Sequence, residues 1–527
     1  MNRAKNLARL RDGPPLDALI VGGGITGAGV ALEFTRAGLR VALVEARDYA
    51  SGTSSRSSKL VHGGLRYLAQ GDIRLTRESV RDRTELLRAA PGLVKPLWFL
   101  LPVRSGDKYG RHVLGLGLAA YDFFAGVRTR RWHDAQSLLV NAPVLSPHGL
   151  KGGWSYLDAA TDDARLVLRV LAEARHCGAL TVNRLAVESL TLGANGVDGA
   201  KLHDGVDGLS FEVKARCVVN AAGAWADRLR GEVGGEPKLR PLRGSHLLFE
   251  AWRFPLAQAV AFFHPDDRRA IFAVPWEGST LIGTTDVDHR DDLDREPGIT
   301  RAEFDYILKA ARSEFPNLDL VEADVVSTWS GVRPVVASGS NVDPSKETRD
   351  SLILEEKGLV TVTGGKLTTF RSTALAALRQ AADRVPELKG AEPGAQLFAT
   401  PSPATIEALG DAAPDLAARW LARYGDDAIG VMKCARADEL RTIRHTDAAW
   451  AELRFACRSE HVVHLEDLML RRTRLGLLLR NGGAELLPRV KEIAQGELGW
   501  SDSRWNEEAA AYRDLVARCY AVPGAGS

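Results

Sequence analysis

Cysteine is scarce. Five residues, Cys177, Cys217, Cys434, Cys457 and Cys519, are scattered along 527 positions with no C-x-x-C pair. That spacing fits neither a disulfide framework nor a zinc site, so no metal is expected and a reducing cytoplasm is the simplest home. An excess of one charge is also lacking: 69 Lys plus Arg stand against 67 Asp plus Glu, a net of +2. No global field then draws in nucleic acid, and none is expected as a partner. Nor is there a run of about 18 uninterrupted apolar residues. The nearest, residues 113–127, contains Asp122, so any membrane contact is expected to be peripheral. The basic N-terminus, with Arg3, Lys5, Arg9 and Arg11, lacks the apolar core of a secretion signal. Internal repeats and low-complexity tracts are absent. What is present, 45% hydrophobic and 26% charged residues, suffices for an extensive core, at about 150 residues per domain in roughly three or four domain equivalents.

The first organised segment is the apolar run Ala18-Leu19-Ile20-Val21, followed by Gly22-Gly23-Gly24-Ile25-Thr26-Gly27, a helix-compatible stretch, and Val41-Ala42-Leu43-Val44-Glu45. Strand, glycine turn, helix and second strand with an acidic end fall in the order of a dinucleotide-binding unit. Gly22 permits the tight turn, Gly24 lets backbone N–H groups approach a pyrophosphate, and Gly27 allows close helix–strand packing, while Glu45 can accept ribose hydroxyls. A carboxylate in that place favours NAD or FAD over NADP. The alternative is that the glycines only make a turn and Glu45 is a solvated strand end.

Three later stretches narrow the chemistry. Residues 54–67 combine hydroxyls (Ser54, Ser55, Ser58), cations (Lys59, Arg66), Gly63, Gly64 and Tyr67, a mixture able to hold an extended cofactor and leave Arg66 near its reactive end. Residues 218–225 read as a buried strand breaking into small residues, with Ala222, Gly223 and Trp225 where backbone would lie against a ligand. Gly364-Gly365-Lys366-Leu367-Thr368-Thr369 opens a helix whose N–H donors can face negative charge. Gly331-Val332-Arg333-Pro334 adds a further arginine. Elsewhere the spacing predicts a helix over 72–90 capped by Asp72, with Ile73, Val80 and Leu87 on one face. Asp162 and Asp163 read as helix caps rather than catalysts. Short strand-like runs over 242–330 predict a mainly β region. Pro401 and Pro403 mark a boundary, beyond which Ala, Leu and Arg at helical spacing predict a separate helical domain. There the charged run 467–474 is expected on a solvated or interdomain face.

Together with Arg243-Gly244-Ser245-His246 and Gly283-Thr284-Thr285-Asp286, these stretches resemble the FAD-dependent glycerol-3-phosphate dehydrogenases, within the D-amino acid oxidase-like flavoproteins. The resemblance runs over residues 15–375 and more weakly to about 500. Arg243 stands where that family often has lysine, which keeps the charge. The resemblance implies an α/β fold in which an FAD-binding Rossmann-like domain (15–90, 151–235, 331–395) interleaves with a mainly β substrate domain (91–150, 236–330). An all-α C-terminal domain (400–527) follows; residues 1–14 are expected as an N-terminal tail, which the resemblance does not explain. It further implies noncovalent FAD and oxidation of sn-glycerol 3-phosphate to dihydroxyacetone phosphate. A membrane quinone is the final acceptor, reached by a peripheral cytoplasmic enzyme, expected as a homodimer. A secondary alcohol must lose its hydroxyl proton as its hydride leaves, and a phosphate needs cations. His246 is then the candidate base; Arg66, Arg333 and Lys366 are the candidate cations, with Tyr67 a further phosphate contact. Residues 97–101 and the basic N-terminus are the candidate membrane contacts. The competing readings are an amine or amino acid oxidase of the same fold and a non-catalytic flavin- or NAD-binding redox sensor.

Overall fold

The apolar runs at 18–21 and 41–45 become central strands of a parallel sheet. In the computed structural model, which describes residues 3–65, 72–337, 350–390, 394 and 396–524, Leu16–Val21 lies between Val41–Glu45 and Ser210–Asn220. Leu180–Asn183 and Leu359–Gly364 continue the parallel order on either side. Strands buried on both faces read as unbroken apolar runs, which is why the sequence showed no alternation here. Ile25–Arg36 packs against both Asp163–His176 and Phe370–Ala381 in one apolar cluster. Gly22 adopts φ +117°, and a Cβ on Gly27 would sit 1.9 Å from the Gly22 carbonyl oxygen. Both glycines are therefore demanded by the turn.

A second, largely antiparallel sheet runs Val287–Asp288, Leu239–Glu250, Ser279–Gly283, Ala270–Trp276, Ala259–Phe263, Val94–Arg104, Leu150–Thr161, Leu60–Val61. Val325–Val336 pairs with Leu239–Glu250 along almost its whole length, from Leu239 opposite Val336 to Phe249 opposite Val325. The boundaries expected at 150 and 330 thus fall at or inside strands of this sheet: Leu150–Thr161 and Val325–Val336 run on past them because their partners lie far away in the chain. Residues 97–101 form part of Val94–Arg104, with Leu97, Phe99, Leu100 and Leu101 buried and Trp98 exposed, so the strand accounts for the hydrophobicity of all but Trp98.

The expected N-terminal tail is instead a helix, Arg3–Arg11. Leu7 and Leu10, three apart on one face, are buried, Asn6 donates to the Thr181 carbonyl at 3.1 Å, and Arg3 pairs with buried Asp204 at 2.5 Å. The cations that suggested solvation ring an apolar stripe. The helix after Asp72 forms as expected, Ile73–Ala89, with the Asp72 side chain accepting from Leu75 N–H. Its inward face is displaced, however: Ile73 is exposed, whereas Leu75, Ser79, Val80, Arg83 and Leu86 are buried.

Beyond residue 400 the described residues form helices, the longest being Asp502–Cys519. The charged run near 470 is a π-helical turn, Asp467–Arg472, and it is buried between domains. Arg471 and Arg472 both reach Asp48, Arg474 reaches Asp163 at 2.7 Å, and Arg165 pairs with Glu460. Burial alone would raise Asp48; Arg472 and Arg471 outweigh it and hold the carboxyl below the ordinary range.

Candidate active site

A cavity of about 470 Å³ opens along the carboxyl ends of the parallel strands, the place where such sheets bind ligands. Gly22, Gly24, Glu45, Ser54, Ala222, Gly223, Trp225, Gly365, Lys366 and Leu367 line it. Gly24 is the N-cap of Ile25–Arg36, directing the helix N-terminus at the cavity. Glu45 Oε2 accepts from Gly23 N–H at 2.6 Å and Oε1 from Arg47 N–H at 2.8 Å. Burial raises this carboxyl, and the two N–H groups oppose the rise. At the mouth Asp294 accepts from Trp225 Nε1, Arg228 and Arg47, while the Arg47 guanidinium lies 5.2 Å from the Trp225 ring centroid. That cluster joins the two domains across the cavity, and nothing in the sequence signalled it.

The remaining sequence candidates take other places. Gly27 serves packing alone. Ser55 and Lys59 are buried behind the cavity, and the Lys59 ammonium turns to Asp163 and the Ser55 carbonyl. Gly63 N–H donates to Tyr121 Oη at 2.8 Å, Gly64 has φ +78°, and Thr368 Oγ1 donates to the His62 carbonyl. Gly331 lies against Arg56, whose carbonyl would be 2.8 Å from an added Cβ. These seven serve packing or backbone shape and do not line the cavity. Arg66 and Tyr67 lie outside the described residues.

Beside the cavity, past Pro334, the substrate sheet brings together the candidate base and one of the candidate cations. Gly244 and His246 share one face of Leu239–Glu250, since alternate residues point the same way. A Cβ on Gly244 would come within 2.4 Å of Arg333 Nη2, and one on Gly283 within 2.5 Å of His246 Cδ2. Two missing side chains thus make room for the guanidinium and the imidazole. Arg333 donates to Asp286 Oδ1 at 2.9 Å and to Thr284 Oγ1 at 3.1 Å. The Lys366 ammonium meets Ser79 Oγ. His246 is fully buried and stacks on Trp329 with ring centroids 5.0 Å apart. Its Nε2 lies 2.8 Å from Ser58 Oγ, and its Nδ1 has no hydrogen-bond partner among the described residues. Burial first, then the charges of Arg333 and Lys59, push its pKa well below the ordinary value, so the imidazole is neutral. Behind this face Glu303 accepts from Ser245 and Thr285 and pairs with Arg243 at 2.9 Å. The sequence marks Glu303 only through Thr300, with which it forms a helix capping box.

Residues 17–382 match the family model described as FAD dependent oxidoreductase, and residues 382–505 match the C-terminal domain of alpha-glycerophosphate oxidase. The aerobic glycerol-3-phosphate dehydrogenase of Staphylococcus haemolyticus is 35% identical over 483 residues, 87% of this chain and 86% of that protein. The chain belongs to the FAD-dependent glycerol-3-phosphate dehydrogenase family. A solved Bacillus halodurans glycerol-3-phosphate dehydrogenase complexed with FAD superposes with TM-score 0.76 at 28% identity, covering 98% of this chain and 97% of that one. The L-alpha-glycerophosphate oxidase of Mycoplasma pneumoniae shares the fold (TM-score 0.55, 18% identity, covering 69% and 94%). Members of this family are FAD-dependent oxidoreductases, and the cavity suits that cofactor. Gly22 and Gly24 would take the pyrophosphate at the helix N-terminus, where Ser54 Oγ accepts from Ile25 N–H at 3.0 Å, Glu45 the ribose, and residues 363–367 the ring end.

Proposed function

We propose that the protein oxidises sn-glycerol 3-phosphate to dihydroxyacetone phosphate and passes the electrons to a membrane quinone. The observation that carries the reading is the pairing of a neutral, buried His246 with Arg333 on one face of the substrate sheet, next to the cavity. When bound, FAD supplies the hydride acceptor. Arg333, oriented by Asp286 and Thr284, offers a planar donor set suited to a phosphate. Lys366, on the cavity wall, adds a point charge near the hydroxyl. His246 takes the hydroxyl proton at Nδ1, the nitrogen left without a protein partner, while Ser58 holds Nε2. Phosphate bound at Arg333 offsets the positive charge that weakens the imidazole, so substrate binding strengthens the base. Arg66 and Tyr67 complete the phosphate site in this reading.

The decisive test is anaerobic absorption spectroscopy of the purified holoenzyme. Sn-glycerol 3-phosphate should bleach the oxidised flavin promptly; bleaching by amino acids instead would establish the oxidase reading, and no response to either would favour a sensor.

For membrane contact, the described large apolar residues of the two segments singled out in the sequence are buried in the fold, Trp98 excepted. Another surface supports the reading: Arg111–Ala125 exposes Val113, Leu116 and Phe123, flanked by Lys108, Arg111 and Arg128. Apolar side chains beside cations suit an anionic bilayer surface, and no described helix is long and apolar enough to cross one. Phe123→Glu combined with Leu116→Glu should abolish cosedimentation with anionic vesicles while leaving flavin reduction by glycerol 3-phosphate intact.

A further inference from the structure

Lys59 is a costly residue to bury. Its side chain is fully enclosed, and its backbone sits at φ +60°, a conformation that side chains other than glycine adopt rarely. The ammonium donates to the Ser55 carbonyl at 2.6 Å and to both Asp163 oxygens at 2.9 Å. Arg474, from the helical C-terminal region, converges on the same two acceptors: Ser55 O at 2.9 Å and Asp163 Oδ1 at 2.7 Å. Asp163 also accepts from Ser57 N–H and Oγ–H, and Ser57 Oγ accepts from Lys59 N–H. The 55–59 turn is therefore clamped on three sides. Its next side chain, Ser58, leaves in the other direction and meets His246 Nε2 at 2.8 Å. The Lys59 ammonium lies 5.1 Å from the centroid of Trp329, the ring on which His246 stacks, and 5.4 Å from that of Trp276.

We propose that Lys59 is a positioning residue for the active site: held by Asp163 and by Arg474 of the C-terminal region, it fixes the turn that presents Ser58 to His246 and faces the imidazole with a positive charge beside Trp329. The inference rests on His246 as the proton acceptor. A carboxylate sharing two cations, with aromatic faces covering the remainder, is an arrangement that packing alone does not require; an apolar side chain would fill the space without the desolvation cost. Burial, then Arg474, lower the Lys59 pKa to about 7 against the pull of Asp163 and Asp162, so its charge responds near neutrality. The charged groups facing Lys59 are Asp163, Asp162 and Arg474; those facing His246 are Lys59 and Arg333.

The test is stopped-flow reduction of the FAD-loaded enzyme by sn-glycerol 3-phosphate across pH 5–9. Lys59→Met removes the charge that discourages protonation of His246. The reduction rate should fall about tenfold, with its acid-side midpoint displaced upward by roughly one pH unit and FAD content unchanged. Lys59→Arg should restore the midpoint. Should Lys59→Met not fold, Ser58→Ala, which alters no buried charge, should slow reduction and move the same midpoint. A wild-type profile in either folded variant overturns the proposal, as does equal loss in Lys59→Met and Lys59→Arg with an unmoved midpoint. His246→Gln separates the two readings. If it reduces flavin as wild type does, the base assignment itself fails; if it is slow while Lys59→Met is normal, only the role of Lys59 fails.

Discussion

Gly244 and Gly283 make the candidate site by what they omit, and each omission can be filled. Gly244→Ala should push the Arg333 guanidinium aside and raise KM for sn-glycerol 3-phosphate about tenfold, whereas Gly283→Ala should displace the imidazole and lower kcat, both with FAD retained. Overpacking of this kind costs about 1–3 kcal/mol, and steady-state kinetics with the flavin spectrum as control would separate the effects. Arg333→Ala should weaken capture more, by about 2–5 kcal/mol in kcat/KM, because the whole charged donor set is removed rather than displaced. His246 also carries a stability consequence. Its folded pKa is depressed, so between that value and about 6.5 the unfolded chain binds a proton that the folded one does not. The stability from burying it neutral is present above pH 6.5 and lost as the pH falls. His246→Gln should therefore lose less stability than wild type between pH 7.5 and 5.5 in chemical denaturation.

The glycine turn, its flanking strands and the helix after Asp72 were legible because each is decided by neighbours within a few positions: a positive φ, an apolar run, a cap. The Arg3–Arg11 helix was not, since its reason for being a helix is the surface of Leu180–Asn183, about 170 residues away. Nor could spacing show which face of Ile73–Ala89 turns inward. Residues 54–67 were singled out as site material, but the division of labour among the described ones was hidden. Ser54 lines the cavity, whereas Ser55 and Lys59 point behind it, and only the turn geometry decides which. Glu45 illustrates the same limit. Its place on a strand end was readable, yet its grip on Gly23 and Arg47 N–H groups was not. Glu45→Ala should release that loop and weaken FAD retention about tenfold, read by flavin loss on dilution or dialysis.

Across the molecule, charge does much of the joining. Asp48, Asp162 and Asp163 of the cofactor domain are each satisfied by arginines from beyond residue 400; of the solvated and interdomain faces the sequence left open for the run 467–474, the structure shows the interdomain one, and spacing could not choose because those carboxylates lie about 300 residues or more away in the chain. Removing one partner of a buried pair costs about 3–5 kcal/mol. Arg472→Ala should lower unfolding free energy by that amount, and truncation at residue 400 should yield no soluble flavoprotein; a stable truncated holoenzyme would show the helical region to be dispensable.

Tyr520 and Ala521 hydrogen-bond through their carbonyls to Thr328, on the strand that carries Arg333. The Tyr520 hydroxyl also holds Glu296, the partner of Arg56. Lys366, the last of the candidate base and cations in chain order, is added 155 positions before residue 521. At about 5–20 residues per second the nascent chain then carries the candidate base and all the candidate cations for roughly 8–30 s without the segment that braces the Arg333 strand. A chain terminated just before residue 520 is therefore expected to keep the candidate base and cations, lack the brace on the strand that carries Arg333, and reduce its flavin with sn-glycerol 3-phosphate more slowly than the full chain.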